Sequence, residues 1–193
     1  MNTAAVAFQK VLDALLAEDK DFPRQYLQEF SDIGPGELQS LLEAWPGVKL
    51  SRKLTLLEEL DSLADADTLV SFDDLARALL TDSDPNVRVH AIRLLDESED
   101  TKLVPAFLDM LKNDSEVSVR AEAANALNLF VDLGELEKIP EETYHEIEDA
   151  LLASANGEDD LRVRRASLES LGYSSRPEVA TLIESAFQRA EPT

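Results

Sequence analysis

Residues 103–127 read LVPAFLDMLKNDSEVSVRAEAANAL, and the fold class follows from that line. Leu103, Val104, Phe107, Leu108 and Leu111 fall at i, i+1, i+4, i+5 and i+8, one apolar stripe at the 3.6-residue period. Asp114-Ser115-Glu116 ends the stripe, and carboxylates there favour the free N–H groups of the helix that follows. Counting Val119 as zero, positions 0, 4, 7 and 8 hold Val119, Ala123, Ala126 and Leu127. At 100° per residue these share about a quarter of the circumference. Small residues at two of the four let a neighbouring helix come close.

The same columns recur along the chain. A shift of 32 lays Leu75 on Phe107, Leu79 on Leu111, Asp82 on Asp114, Val87 on Val119, Arg88 on Arg120, Ala91 on Ala123 and Leu95 on Leu127. A further shift of 44 brings in Leu151, Val163, Arg164, Ser167 and Leu171. Each unit is a helix, a short acidic turn and a helix opening on Val-Arg. A period of this size means stacked units, none of which can bury its apolar face alone. Helices are expected near 3–18, 23–31, 36–45, 51–64, 72–80, 85–97, 102–112, 117–130, 141–155, 160–171 and 177–190. Pro23, Pro35, Pro85, Pro140 and Pro177 stand just ahead of such segments, where a missing N–H costs nothing.

The unit Leu103, Pro105, Phe107, Leu111, Asp114, Val119, Arg120, Ala123, Ala126, Leu127 resembles the HEAT repeat, in the short bacterial form also seen in phycobilisome-lyase-like proteins. Residues 163–172, VRRASLESLG, are similar to that family's second helix. The resemblance covers 71–173 and extends to a half-unit at 177–190. It is degenerate over 36–64, where Arg52 has no valine before it and Leu60 is one place out of register, and absent from 1–35. It implies an all-α fold, a right-handed α-solenoid of antiparallel helix pairs with about eleven helices. Residues 1–50 would form a divergent helical cap and 51–193 the repeat array, packed as one continuous domain. It implies, too, a protein that works by presenting surfaces.

Two sets of positions stand out within the second helices. Arg88, Arg120 and Arg164 lie on the flank of the buried stripe, towards a stacked neighbour. Asp84, Glu116 and Asp160 precede each Val by three. The expected result is a structural ladder, arginine to turn acid along the stack, since guanidinium–carboxylate forks suit such interfaces. Arg120→Ala is then expected to cost roughly 2–4 kcal/mol. Positions 2, 6 and 9 face away from the core: Val89, Arg93, Asp96; Ala121, Asn125, Asn128; Arg165, Glu169, Gly172. This row is less acidic than the chain as a whole and is the candidate partner-binding face. A second candidate is the 12-residue insertion between the second and third units, expected as an edge loop presenting Leu133, Leu136 and Ile139. The plainer reading folds its apolar residues back on the solenoid edge.

Composition excludes several chemistries. The 193 residues hold 40 acidic and 18 basic side chains, net −22, and both ends share the excess: 13 against 6 in residues 1–70, 27 against 12 thereafter. Dispersed acid of this kind keeps a protein soluble and repels a phosphate backbone. HEAT-built DNA glycosylases need a basic, aromatic groove; here there is one tryptophan, Trp45, before the helix stop Pro46-Gly47, and it reads as a plug of the N-terminal core. With no cysteine, disulfides, thiolate metal sites and Cys nucleophiles are excluded. Gly157-Glu158-Asp159-Asp160 and Asp82-Ser83-Asp84 lack the donor spacing of a calcium loop. His145-Glu146 is similar to the His-Glu pairs of deoxyhypusine hydroxylase, a di-iron enzyme on HEAT repeats. That family needs several facing pairs, and His90 is followed by Ala91; both histidines read as ordinary helical side chains.

The expected function is therefore a non-enzymatic interaction scaffold or adaptor without catalytic residues, metal ligands or cofactor. Its expected partner is a protein with a basic or mixed surface, not nucleic acid or membrane, and its expected location is the cytoplasm. An alternative is a lyase-type or chaperone-like accessory subunit for a tetrapyrrole-binding or other protein, which co-purifying pigment would reveal. A further alternative, the metal-dependent hydroxylase, is decided by stoichiometric metal analysis. After Gly172 comes one more first helix, striped with Val179, Leu182, Ile183, Ala186 and Phe187, and no second helix before Glu191-Pro192-Thr193. A stack end of this kind predicts weak end-to-end homo-oligomers or a longer array. Sedimentation at low and moderate salt is the test: a strict monomer at every concentration rules out the first.

Overall fold

The computed structural model describes residues 3–17, 19–157 and 160–190, with side chains over 8–17, 19–157 and 160–184. The described part is all-α. Its helices are α1 (Thr3–Leu16), α2 (Pro35–Ala44), α3 (Leu50–Ala66), α4 (Asp73–Leu79), α5 (Pro85–Arg93), α6 (Val104–Asn113), α7 (Val117–Glu135), α8 (Glu141–Asn156), α9 (Leu161–Ser170) and α10 (Pro177–Ala190). Arg24–Phe30 is a 3-10 helix where an α-helix was expected. Its buried side chains, Leu27 and Phe30, are three apart, the spacing that eclipses in a 3-10 turn. The chain divides into two compact units, Met1–Leu95 and Asp96–Thr193, so residue 50 lies inside the first.

In the first unit α3 packs on α5 and on the 3-10 helix, and α4 on α5. Phe8, Phe22 and Phe30 meet edge-on or tilted in its N-terminal core, with centroids 6.1–6.2 Å apart for Phe8–Phe30 and Phe22–Phe30. Asp32 adopts a left-handed conformation (φ 47°) and donates its N–H to the Ser71 carbonyl, while Ser71 N–H donates to Ser31 Oγ. That clip holds the approach to α4 against the end of the 3-10 helix. Arg52 donates to the carbonyls of Ala17 and Lys20, satisfying acceptors just beyond α1.

Trp45 is buried and more than a space-filler. Its indole N–H donates to Asp82 Oδ2 at 2.7 Å, Lys53 Nζ lies 4.8 Å above its ring centroid, and Lys53 stands 3.8 Å from the same carboxylate.

The second unit has two layers. First helices α6 and α8 pack on each other, as do second helices α7 and α9, and α6–α7 and α8–α9 form the pairs. Ala123, Ala124 and Ala126 are buried, and Ser170 Oγ donates to the Ala124 carbonyl at 2.8 Å, so small side chains bring α9 onto the α7 main chain. The insertion is not mainly a loop. Phe130, Val131 and Leu133 continue the buried face of α7, which runs to Glu135 and leaves only 136–140 as connection. Helical spacing of its apolar residues carries the helix on, because each added turn finds cover.

Candidate interaction surfaces

The second-helix row is open as its spacing requires. Asn125, Arg165 and Glu169 are exposed, and Ala121 and Asn128 half-buried, on the α7–α9 layer. On α5 and just after it, Arg93 and Asp96 are exposed and Val89 half-buried. Arg165 Nε donates to Glu169 at 2.8 Å, one turn on.

The insertion splits by residue. Leu133 is 3% exposed and cannot touch a partner, a correction that follows from its place on the inner face of α7. Leu136 is 55% exposed and Ile139 half-buried.

The arginines use acceptors that repeat arithmetic did not name. Arg88 Nη1 donates to the carbonyls of Asp82 (2.8 Å) and Ser83 (3.3 Å). Arg120 Nη1 donates to those of Asp114 (2.8 Å) and Ser115 (3.2 Å). Each therefore staples the turn of its own helix pair through main-chain oxygen. The equivalent turn residues before Arg164, Glu158 and Asp159, lie outside the described residues, and Arg164 Nε is buried without a hydrogen-bond partner among those described. Asp84 and Asp160 cap their helices, accepting from the N–H of Asn86 and Arg162. Glu116 makes no side-chain cap; Asp114 Oδ1 accepts the Glu116 N–H instead. Loss of Arg120 strands the part-buried Asp114 carbonyl once bonded to a charge, so Arg120→Ala is expected to cost about 1.5–3 kcal/mol. Urea unfolding checks this; a change below about 0.5 kcal/mol means the staple is solvated.

Charge also acts from one helix pair on the next. Arg162 N–H and its guanidinium hold the Asp160 carboxyl below the usual range, with a smaller contribution from the Arg120 charge. In the first unit Lys53 reaches Asp82. The buried residues of α3, Leu56, Leu57 and Leu60, match Ala91, Ile92 and Leu95 of and beside α5, and that register puts Lys53 opposite Arg88. The 51–64 stretch is thus in register when counted from Arg52 as zero. Basic residues at 52 and 53 hide this, since Arg52, at the valine position, serves the α1 cap.

A polar cluster that the sequence reading missed lies where α7, α8 and the approach to α10 meet. Glu148 is fully buried; its carboxylate accepts from Ser174 Oγ at 2.5 Å and contacts His145 Nδ1 at 3.1 Å, with Arg176 Nη1 3.8 Å away. Glu135 Oε1 accepts from the Tyr144 hydroxyl (2.5 Å) and the Ser175 N–H (2.6 Å). Arg176 Nη1 also donates to Asp149 at 2.5 Å. Burial first, then its bonds to Glu135 and Glu148, push the Tyr144 hydroxyl well above its ordinary pKa, so it stays a donor. That hydroxyl and the Ser175 N–H hold Glu135 below the usual carboxylate range. Its stabilisation is therefore complete above about pH 4.5 and is lost as pH falls through its lowered value. Glu135→Gln is expected to flatten the acid limb of the unfolding midpoint measured against pH; an unchanged limb assigns acid lability to other carboxylates.

The cluster anchors α10 by polar contacts. Val179 is buried, Leu182 half-buried and Ile183 41% exposed; the side chains of Ala186 and Phe187, and residues 191–193, lie outside the described residues. His145 also faces Glu141 at 3.5 Å, and Glu148 is chiefly what raises its pKa. His90 Nδ1 lies 2.7 Å from Asp61 Oδ2, joining α5 to α3. Among the described residues no three His, Asp or Glu side chains converge as a metal site would require, and no helix is long and apolar enough to cross a membrane.

The profile of a family described as HEAT repeats matches residues 72–143. Residues 72–143 carry HEAT repeats. The match takes in α4 to α7, both Val-Arg staples and the elongated second helix. Outside it, α8 and α9 repeat the same columns with Leu151, Val163, Arg164 and Ser167. No curated protein and no solved structure matches the chain.

Proposed function

We propose that this HEAT-repeat protein is a non-enzymatic scaffold or adaptor that recognises a partner protein through its second-helix row. The observation that supports this is the row on α7 and α9, Ala121, Asn125, Asn128, Arg165 and Glu169, whose two helices are joined beneath it by the Ser170–Ala124 bond. Packing leaves Asn125, Arg165 and Glu169 exposed, and HEAT repeats in general mediate protein–protein contact. A net charge of −22 favours a basic or mixed partner surface.

Affinity capture with mass spectrometry identifies the partner. The combined Arg93→Glu, Arg165→Glu variant is then expected to keep its helical circular dichroism and lose at least tenfold in affinity. Unchanged affinity in the folded variant rejects the row and turns attention to Leu136 and Ile139.

A further inference from the structure

The first-helix layer of the second unit carries a groove that the second-helix reading does not use. Between α6 and α8 it has a volume of about 500 Å³, inside the range of roughly 300–1,000 Å³ typical of binding clefts. Leu108 and Leu111 come from α6, and Ala150 and Ala153 from α8. Glu146, Ala150 and Ala153 fall at i, i+4 and i+7, so one face of α8 forms the whole wall. Alanines stand where larger side chains would meet the two leucines, which leaves the space open. Leu108 and Ala150 are half-buried and Ala153 is exposed, above Leu111, which is buried; Leu108 and the two alanines form the apolar surface that is reachable.

The walls differ in charge. Glu146 and, one turn before it, Glu142 are exposed on α8, whereas Lys112 is exposed on the α6 wall. We propose that this groove docks an amphipathic helix of a partner protein, its apolar stripe on Leu108, Ala150 and Ala153 and a border of Lys or Arg along Glu142 and Glu146. Apolar side chains in the groove supply the affinity, and the charged border sets orientation. This goes beyond the second-helix reading, because it places a separate contact, of stated chemistry, on the other layer.

The test uses the full chain and three fluorescent 15-residue peptides. One is an idealised helix with leucines on one stripe and lysines along one border. The second has glutamates for those lysines; the third has the composition of the first with the stripe scrambled. Anisotropy is expected to show the lysine peptide binding at least tenfold tighter than either of the others. Ala153→Leu, which fills the groove from an exposed position, and Glu146→Lys should each weaken it at least tenfold, with helicity unchanged by circular dichroism. No binding of the lysine peptide, equal binding of the scrambled one, or full affinity in folded Ala153→Leu overturns the proposal; the last two leave only general attraction to an acidic protein. Loss on Arg165→Glu but not Ala153→Leu also overturns it, while supporting the second-helix row.

Discussion

Asp82→Ala is expected to destabilise the first unit by about 3–5 kcal/mol, the cost of removing one partner of a buried charge pair. Asp82 is 7% exposed and Lys53 12%, with Nζ 3.8 Å from Oδ2. The same carboxylate accepts from Trp45 Nε1 at 2.7 Å and from the Asp84 N–H at 2.8 Å. Alanine leaves an ammonium, an indole N–H and a main-chain N–H, all largely shielded from water, without this acceptor, and desolvation makes each of those expensive. Asp82→Asn, which keeps an acceptor for the indole but not the charge, should cost less. So should Lys53→Met, since the carboxylate then retains both N–H donors. Trp45 is the single tryptophan of the chain, so its fluorescence during urea unfolding reads the first unit. A loss below about 1 kcal/mol for Asp82→Ala would show that water reaches the cluster.

Gly134→Ala should cost the second unit about 2–4 kcal/mol, although alanine is the better helix former by roughly 1 kcal/mol. Gly134 lies inside α7, and a Cβ there would fall within the Tyr144 ring, on Cγ and Cδ2. The ring has little freedom to retreat. Its hydroxyl is bonded to Glu135, and it stacks on His145 with centroids 5.6 Å apart. Overpacking of this kind costs about 1–3 kcal/mol, and displacing the ring adds the charge-assisted bond to Glu135, about 1.5–3 kcal/mol. Gly172→Ala is the control: nothing lies within 4 Å of its added Cβ, and its effect should stay within about 0.5 kcal/mol. Thermal unfolding followed by far-UV circular dichroism distinguishes the two. Equal midpoints would show that Tyr144 swings aside at little cost.

Apart from the extension of α7 through 131–135 and the register of α3, which residues form helices and which of their faces are buried was legible in the sequence alone. Val119, Ala123 and Leu127 are fully buried, as are their counterparts Val87, Ala91 and Leu95 and Val163, Ser167 and Leu171. A 3.6-residue period is local information: it needs only one helix and an apolar side to pack on. The outward row was legible for the same reason, being the complement of that face. Partner choice was not. The Arg88 and Arg120 side chains point where the columns place them, and the turn carbonyls they donate to could not be read from the sequence, because a backbone oxygen at the right distance leaves no mark in the residue type. Glu148 shows the limit most plainly. In sequence it is one acid among the 40, and only the return of the chain through Ser174 and Arg176 beside α8 makes it a buried anchor. Gly134 likewise looks like a weak point in a helix until Tyr144, ten residues later, folds onto it. Local periodicity decides which surface each helix buries; contacts between residues far apart, or brought back by a turn, decide which polar groups lie in the interior and which grooves stay open.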